Sequence, residues 1–163
     1  TRKEKELINQ GPCSLAEAGE RKCKIISNEE LLELDVDILI PAALENVVNA
    51  TNAERLKTKV ILEMANGPVA PEAEAILSKA GVEIIPDILA NSGGVIGSYF
   101  EWVQGLQRFY WEEDEVLGKI EKIMVYAWRA GARERAEDGS WREASYRIAV
   151  RRVVEAMRLR GWV

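Results

Sequence analysis

Ile84-Ile-Pro-Asp-Ile-Leu-Ala-Asn-Ser-Gly-Gly-Val-Ile-Gly-Ser-Tyr-Phe-Glu-Trp102 is the stretch whose reading decides the fold. Its apolar run, which Val82 begins and Asn91 ends, reads as a buried strand; the Asn91-Ser-Gly-Gly94 turn then opens an apolar helix. In open parallel sheets, ligands lie beyond the carboxyl ends of the strands. A strand-to-helix turn there aims free backbone N–H groups at the crevice. Gly93 and Gly94 can take positive φ and let the backbone approach a ligand. The plain alternative is a tight turn between two packed elements.

Upstream, two further runs read the same way. Val36 to Ala43 (Val-Asp-Ile-Leu-Ile-Pro-Ala-Ala) is a compact β-branched run stopped by proline, the pattern of a strand buried on both faces. Asn52 is expected to cap a turn over Ala53 to Lys57, and Lys59 to Ala65 makes a second strand that ends at Asn66-Gly67-Pro68. Pro71 suits the first turn of a helix carried by Ala73 to Lys79, and Gly81 stops it before the third strand. All three runs finish in small or amide residues: Pro41-Ala42-Ala43, Ala65-Asn66-Gly67 and Ala90-Asn91-Ser92. Short intervening helices imply parallel strands, so these ends should line up along one sheet edge. A floor of small residues with two carboxamides suits a flat, polar, uncharged ligand group, because a carboxamide both donates and accepts. Asn also ends strands simply because it tolerates left-handed backbone.

Before these strands, Ser27 and Glu30 form a Ser-x-x-Glu capping pattern ahead of a short helix from about Asn28. Residues 1 to 24 are poorly assigned: Lys3 to Gln10 and Leu15 to Arg21 could be helical, with Gly11-Pro12 between them. Beyond Val95 the chain reads as helical, with Ile96, Phe100, Val103 and Leu106 or Gln107 on one face. Glu112-Glu113-Asp114 opens a second helix to about Glu137, with Val116, Ile120, Ile123, Met124 and Ala127 as its core stripe. Gly139 breaks it, and Ser140 caps a last helix through Arg160, with Ala144, Ile148, Val150 or Arg151, Val154 and Met157 inward. Arg129 to Arg135 and Arg147 to Arg160 alternate with acids and read as solvated faces; Trp128 and Trp141 read as packing residues. Three segments follow: 1–24 poorly assigned, 25–92 an α/β segment, and 93–163 helical.

Composition bounds the function. A chain of 163 residues, 47% apolar and 30% charged, can bury a proper core, and a net charge of −5 disfavours nucleic acid and anionic membranes as partners. No apolar run reaches the roughly 20 residues of a membrane span, and the charged start argues against a signal peptide, so a cytoplasmic location is expected. Cys13 and Cys23 read as reduced thiols. Histidine is absent, which removes His-dependent triads and His metal sites and leaves Lys, Asp, Glu and Tyr as acid–base groups.

From residue 26 to 163 the sequence resembles the carboxyl-terminal part of a glutamate dehydrogenase of the archaeal or thermophilic bacterial type. The resemblance rests on the run from Ser27 to Asn46 (Ser-Asn-Glu-Glu-Leu-Leu-Glu-Leu-Asp-Val-Asp-Ile-Leu-Ile-Pro-Ala-Ala-Leu-Glu-Asn) and on Ala65-Asn-Gly-Pro68. It rests equally on Pro71-Glu-Ala73, Ile85-Pro-Asp-Ile-Leu-Ala-Asn-Ser-Gly-Gly-Val95, Ser98-Tyr-Phe-Glu-Trp-Val-Gln104 and Arg160-Gly-Trp-Val163. It implies a partial Rossmann-like, doubly wound parallel sheet of three strands followed by long C-terminal helices, facing a substrate domain across a cleft, with 25–92 the distal half of a Rossmann-like cofactor domain. It also implies oxidative deamination of L-glutamate to 2-oxoglutarate and ammonia with NAD or NADP. By family pattern, Asn91 and Asn66 would contact the nicotinamide and its ribose, Pro41 and Ala42 would lie against the same end, and Val95 and Ser98 would reach the substrate side chain. Leucine and phenylalanine dehydrogenases diverge after Gly-Gly-Val, so the Ser98 hydroxyl argues for a γ-carboxylate over an apolar side chain. Gly97 departs from the bulkier residue usual there.

No Gly-x-Gly-x-x-Gly occurs, so the pyrophosphate-binding turn is expected to lie elsewhere, with the residue that chooses between NAD and NADP. The family's catalytic lysines and aspartate belong to a substrate domain that nothing here resembles. No catalytic or metal-ligating residue is therefore assigned, and the 163 residues alone are expected not to oxidise glutamate. The resemblance implies a homo-oligomeric intact enzyme completed by that substrate domain. A stand-alone, non-catalytic module that binds a ligand or partner is the alternative, and it would need residues 1 to 24 to cover the open sheet edge.

Overall fold

Ser27 starts the described chain as its sequence directs. In a computed structural model covering residues 26–135 and 139–163, its hydroxyl accepts the Glu30 N–H at 3.1 Å, and the Glu30 carboxylate accepts the Ser27 N–H at 2.9 Å. This reciprocal cap opens helix α1, Asn28–Leu32. The helix belongs to a first unit, Thr1–Leu34; a second unit spans Asp35–Val163. Cys13, Cys23, the expected turns within residues 3–21 and the end of the second long helix near Glu137 lie outside the described residues.

The second unit is built on three parallel strands in the order β1 (Ile38–Leu39), β2 (Val60–Leu62) and β3 (Glu83–Ile85). Register pairs Ile38 with Val60 and Leu39 with Ile61, then Ile61 with Ile84 and Leu62 with Ile85. Alternation along the central strand serves two cores. Ile61 packs with Val48, Ala53, Val69, Ala73 and Leu77, whereas Val60 and Leu62 face Ile85, Leu89, Trp141 and Ala127. Helices therefore cover both faces, the doubly wound α/β arrangement expected from the sequence.

Strand β1 differs from its expectation of burial on both faces. It is only two residues long, and Ile38 within it and Ile40 just after it are 56% and 51% exposed. The reason is position: β1 lies at the edge of the described sheet, where one side has no partner among the described residues. Asn52 also behaves differently. It precedes a 3₁₀ turn, Ala53–Arg55, without capping it; its carboxamide turns back, accepting from the Asn49 N–H at 2.9 Å and donating to the Val47 carbonyl at 2.8 Å.

Helix α2, Pro71–Lys79, starts with proline in its first turn, where a missing N–H costs nothing. It gives way at Gly81, whose φ of +79° is the left-handed stop that glycine supplies. The deciding stretch then departs from a single long strand. Strand β3 stops at Ile85, Pro86 is extended, and Asp87–Ala90 forms a short helix, α3. Asn91, at φ −97° and ψ 2°, joins α3 to helix α4, Ser92–Gln107. The turn is thus helix-to-helix, and Gly93 and Gly94 lie inside α4 without positive φ. Nor are all its amides free, since the Asn91 N–H donates to Asp87 and that of Gly94 to Asn91.

Phe100 and Gln104 are the buried residues of α4, not Leu106 or Gln107. The Gln104 side chain satisfies the Trp111 N–H at 2.7 Å. Helix α5, Glu113–Glu134, begins with three acids against its positive dipole end and packs Ile120 and Met124 on Gly93 and Gly97 of α4. Helix α6, Trp141–Leu159, has Ser140 as its cap and buries Trp141 and Ala144. Trp128 and Trp141 stack at 4.2 Å as packing residues. No described helix is long and apolar enough to cross a membrane.

Candidate functional site

The carboxyl ends of β1 and β2 are tied together directly. The Pro41 carbonyl accepts the N–H groups of Met64 and Ala65 at 3.1 and 2.9 Å. Pro41 and Ala65 are buried while Ala42 and Asn66 are exposed, so the edge has a packed base and an open rim. Gly67, at φ +54°, turns the chain back, and its carbonyl accepts the Asn46 N–H at 2.9 Å.

Asn91 reaches this edge through its side chain, although a helix precedes it. Its Nδ2 donates to Asn66 Oδ1 at 2.8 Å and lies 3.3 and 3.4 Å from the carbonyl oxygens of Ala65 and Met64. Two backbone carbonyls beside one amide atom require that atom to be the NH₂ end. That assignment leaves Asn91 Oδ1 without a donor and Asn66 Nδ2 without an acceptor among the described residues. The pair thus keeps one acceptor and one donor, the two kinds of group that a further carboxamide can use.

Val95 and Ser98 stand on α4 beyond this pair, three residues apart and so on one helix face. Val95 is 69% exposed. The Ser98 hydroxyl donates to the Gly94 carbonyl at 3.1 Å, so its one hydrogen is engaged with its own helix. Pro41, Asn66 and Asn91 are thus brought together; Ala42 adjoins them along the chain, and Val95 and Ser98 are set apart on the helix that Asn91 begins.

Behind the pair lies a charged cluster that sequence reasoning missed. Arg142 of α6 donates from Nη2 to Glu63 Oε1 at 2.8 Å and from Nε to Glu74 Oε2 at 2.7 Å, and its Nη1 is 3.4 Å from Asp87 Oδ1. Glu63 is fully buried. Burial works against the Arg142 cation, but hydrogen bonds and charge from Glu63 and Glu74 outweigh it and raise its pKa above the ordinary arginine value. Arg135, expected on a solvated face, instead bonds Glu83 together with the Trp141 indole N–H, whereas Arg151 keeps an exposed pairing with Glu134. Among the described residues no group of three or more metal-type ligands occurs. Two cavities of about 700 Å³, one against α2, β3 and α6 and one along α6, do not include Pro41, Asn66 or Asn91.

Residues 3–161 match the family model of the glutamate/leucine/phenylalanine/valine dehydrogenases. The chain is 53% identical over 137 residues to the glutamate dehydrogenase of Thermotoga maritima, covering 83% of this chain and 33% of that protein. It is 48% identical to the cryptic catabolic NAD-specific glutamate dehydrogenase of Bacillus subtilis, covering 85% and 33%. Among solved structures, the hetero-hexameric glutamate dehydrogenase from Thermus thermophilus in its leucine-bound form superposes with a TM-score of 0.79 at 32% identity, over 90% of this chain and 36% of that one. The chain thus spans about a third of the length of the curated relatives it matches.

Proposed function

Because this chain belongs to the glutamate/leucine/phenylalanine/valine dehydrogenase family, we propose that it forms the nicotinamide side of the cofactor site in a glutamate dehydrogenase. The proposed reaction is the oxidative deamination of L-glutamate to 2-oxoglutarate and ammonia, in which NAD or NADP accepts the hydride. The observation that carries this reading is the Asn66–Asn91 pair. Its unused acceptor and donor match the donor and acceptor of a nicotinamide carboxamide, on a rim where exposed Ala42 adds a small surface above the buried base of Pro41. Asn91 would hold the carboxamide, and Asn66 the carboxamide or the adjoining ribose. These residues bind and orient; none shuttles a proton. Val95 and Ser98 would face the substrate, with the Ser98 hydroxyl turning from Gly94 to the γ-carboxylate.

Proton transfer and pyrophosphate binding are assigned to a substrate domain and a glycine-rich turn outside these residues, and the working enzyme is proposed to be an oligomer. The NAD-specific name of the Bacillus subtilis relative and the hexameric form of the Thermus thermophilus one support this reading. A titration of ¹⁵N-labelled chain with nicotinamide mononucleotide tests it. The side-chain amide signals of Asn66 and Asn91 should move together, and Asn91→Ala should abolish the response of Asn66. A folded chain whose two amides stay still at high millimolar ligand would sink the assignment. The chain alone should form no reduced cofactor from glutamate.

A further inference from the structure

We propose that Arg142 is a positioning residue for the Asn66–Asn91 carboxamide pair, acting through Glu63 and Asp87. Each of these carboxylates bridges the two segments that carry the asparagines. Glu63 leads directly into Met64 and Ala65, whose carbonyls take the Asn91 amide, and its Oε2 accepts the Asp87 N–H at 2.8 Å, which fixes the start of α3 and hence Asn91 at its end. Asp87 in turn accepts the N–H of Gly67, the residue after Asn66, at 2.9 Å, and that of Ile88 at 2.7 Å. The asparagines are thus clamped from behind by two acids held close together.

Two clustered carboxylates, one of them fully buried, repel each other and resist desolvation unless a cation compensates. Arg142 is the cation in place, and it meets three carboxylates through three different nitrogens. Only a guanidinium offers donors in that fork; an ammonium is a single point charge. Without the arginine, Glu63 loses the donor on its Oε1 and the positive charge that offsets its burial, and the carboxylate draws away from the interior. A displaced carboxylate no longer meets the Asp87 N–H at 2.8 Å, so the clamp loosens at the side facing the asparagines. Glu74, the third partner, touches neither asparagine segment, which separates positioning from a general tethering of α6 to the sheet.

The linkage stands on geometry; its use in cofactor binding rests on the reading in the preceding section. The full labelled chain is compared with Arg142→Lys, Arg142→Met, Glu74→Gln and Arg151→Met, the last removing an exposed pair on the same helix. Both Arg142 variants should displace the Asn66 and Asn91 side-chain amide signals and speed their hydrogen exchange. Glu74→Gln and Arg151→Met should leave them in place. A folded Arg142→Lys with unmoved amide signals would overturn the proposal, as would Glu74→Gln moving them as far. If Arg142→Met does not fold, Arg142→Lys and Glu74→Gln decide the matter, because Trp141 and Ala144 still bury the helix. Nicotinamide mononucleotide affinity should fall about tenfold in Arg142→Lys, the usual size of an outer-shell effect. A wild-type chain that ignores the mononucleotide while its amides still answer to Arg142→Lys would refute the functional reading and leave the positioning role standing.

Discussion

At the scale of single residues, Asn91 and Ser98 show how far a side chain's present bonds constrain its proposed task. Asn91 spends its donor end inside the fold and keeps its acceptor, so it can serve a ligand without rearranging. Ser98 must first release the Gly94 carbonyl, but that acceptor remains satisfied by its helix, so the exchange costs little. In a full-length glutamate dehydrogenase of the proposed kind, Ser98→Ala should therefore raise the KM for glutamate about tenfold or more while the KM for the nucleotide holds, reflecting one lost hydrogen bond to a charged group. Equal rises in both would place Ser98 outside the substrate side. Pro41, Asn66 and Asn91 were legible from sequence because each closes an apolar run, a pattern visible within a few residues. Arg142 was not, because its partners Asp87, Glu74 and Glu63 lie 55, 68 and 79 positions away and no local pattern connects them.

At the scale of elements, the Ser27 capping box and Pro71 were reliable signals, the Asn52 cap was not, and apolar runs were ambiguous. Ser27-x-x-Glu30 and Pro71 each opened the helix they announced. Ile84 to Ala90, by contrast, reads as one strand by hydrophobicity, yet Pro86 followed by Asp87 is also a helix opening, with acid in the first turn. Competing periodicities over so short a window cannot be separated by pattern alone. Contact between helices is equally invisible in one dimension. Gly131 of α5 is buried against Trp141, and a Cβ placed there would lie 3.1 Å from the indole. The indole cannot retreat easily, being stacked on Trp128 and bonded to Glu83. Gly131→Ala should therefore destabilise the chain by up to about 2 kcal/mol, overpacking of about 1–3 kcal/mol set against a gain in helix propensity of about 1 kcal/mol. A urea midpoint that rises instead would show that the tryptophans yield.

At the scale of the whole molecule, the outer side of β1 is the feature to test, because it has no partner among the described residues. Exposed Ile38, Ile40 and Leu44 lie in and beside that strand, the kind of surface on which chains can pair edge to edge. The isolated chain should accordingly self-associate with rising concentration, and Ile40→Lys should suppress this in sedimentation measurements without lowering its melting temperature by more than a few degrees. Association unaffected by that change would locate the sticky surface elsewhere, for instance at Tyr99, Trp102 and Leu106. Those three residues also show what the single non-helical joint at Asn91 entails. Helix α4 extends from that joint for about 24 Å, and it is braced against α5 at Gly93 and Gly97, close to its origin. It is a lever with its fulcrum at the Asn91 carboxamide. A swing of about 5° there carries the far end about 2 Å, while the carboxamide, held by Ala65 and Asn66, scarcely moves.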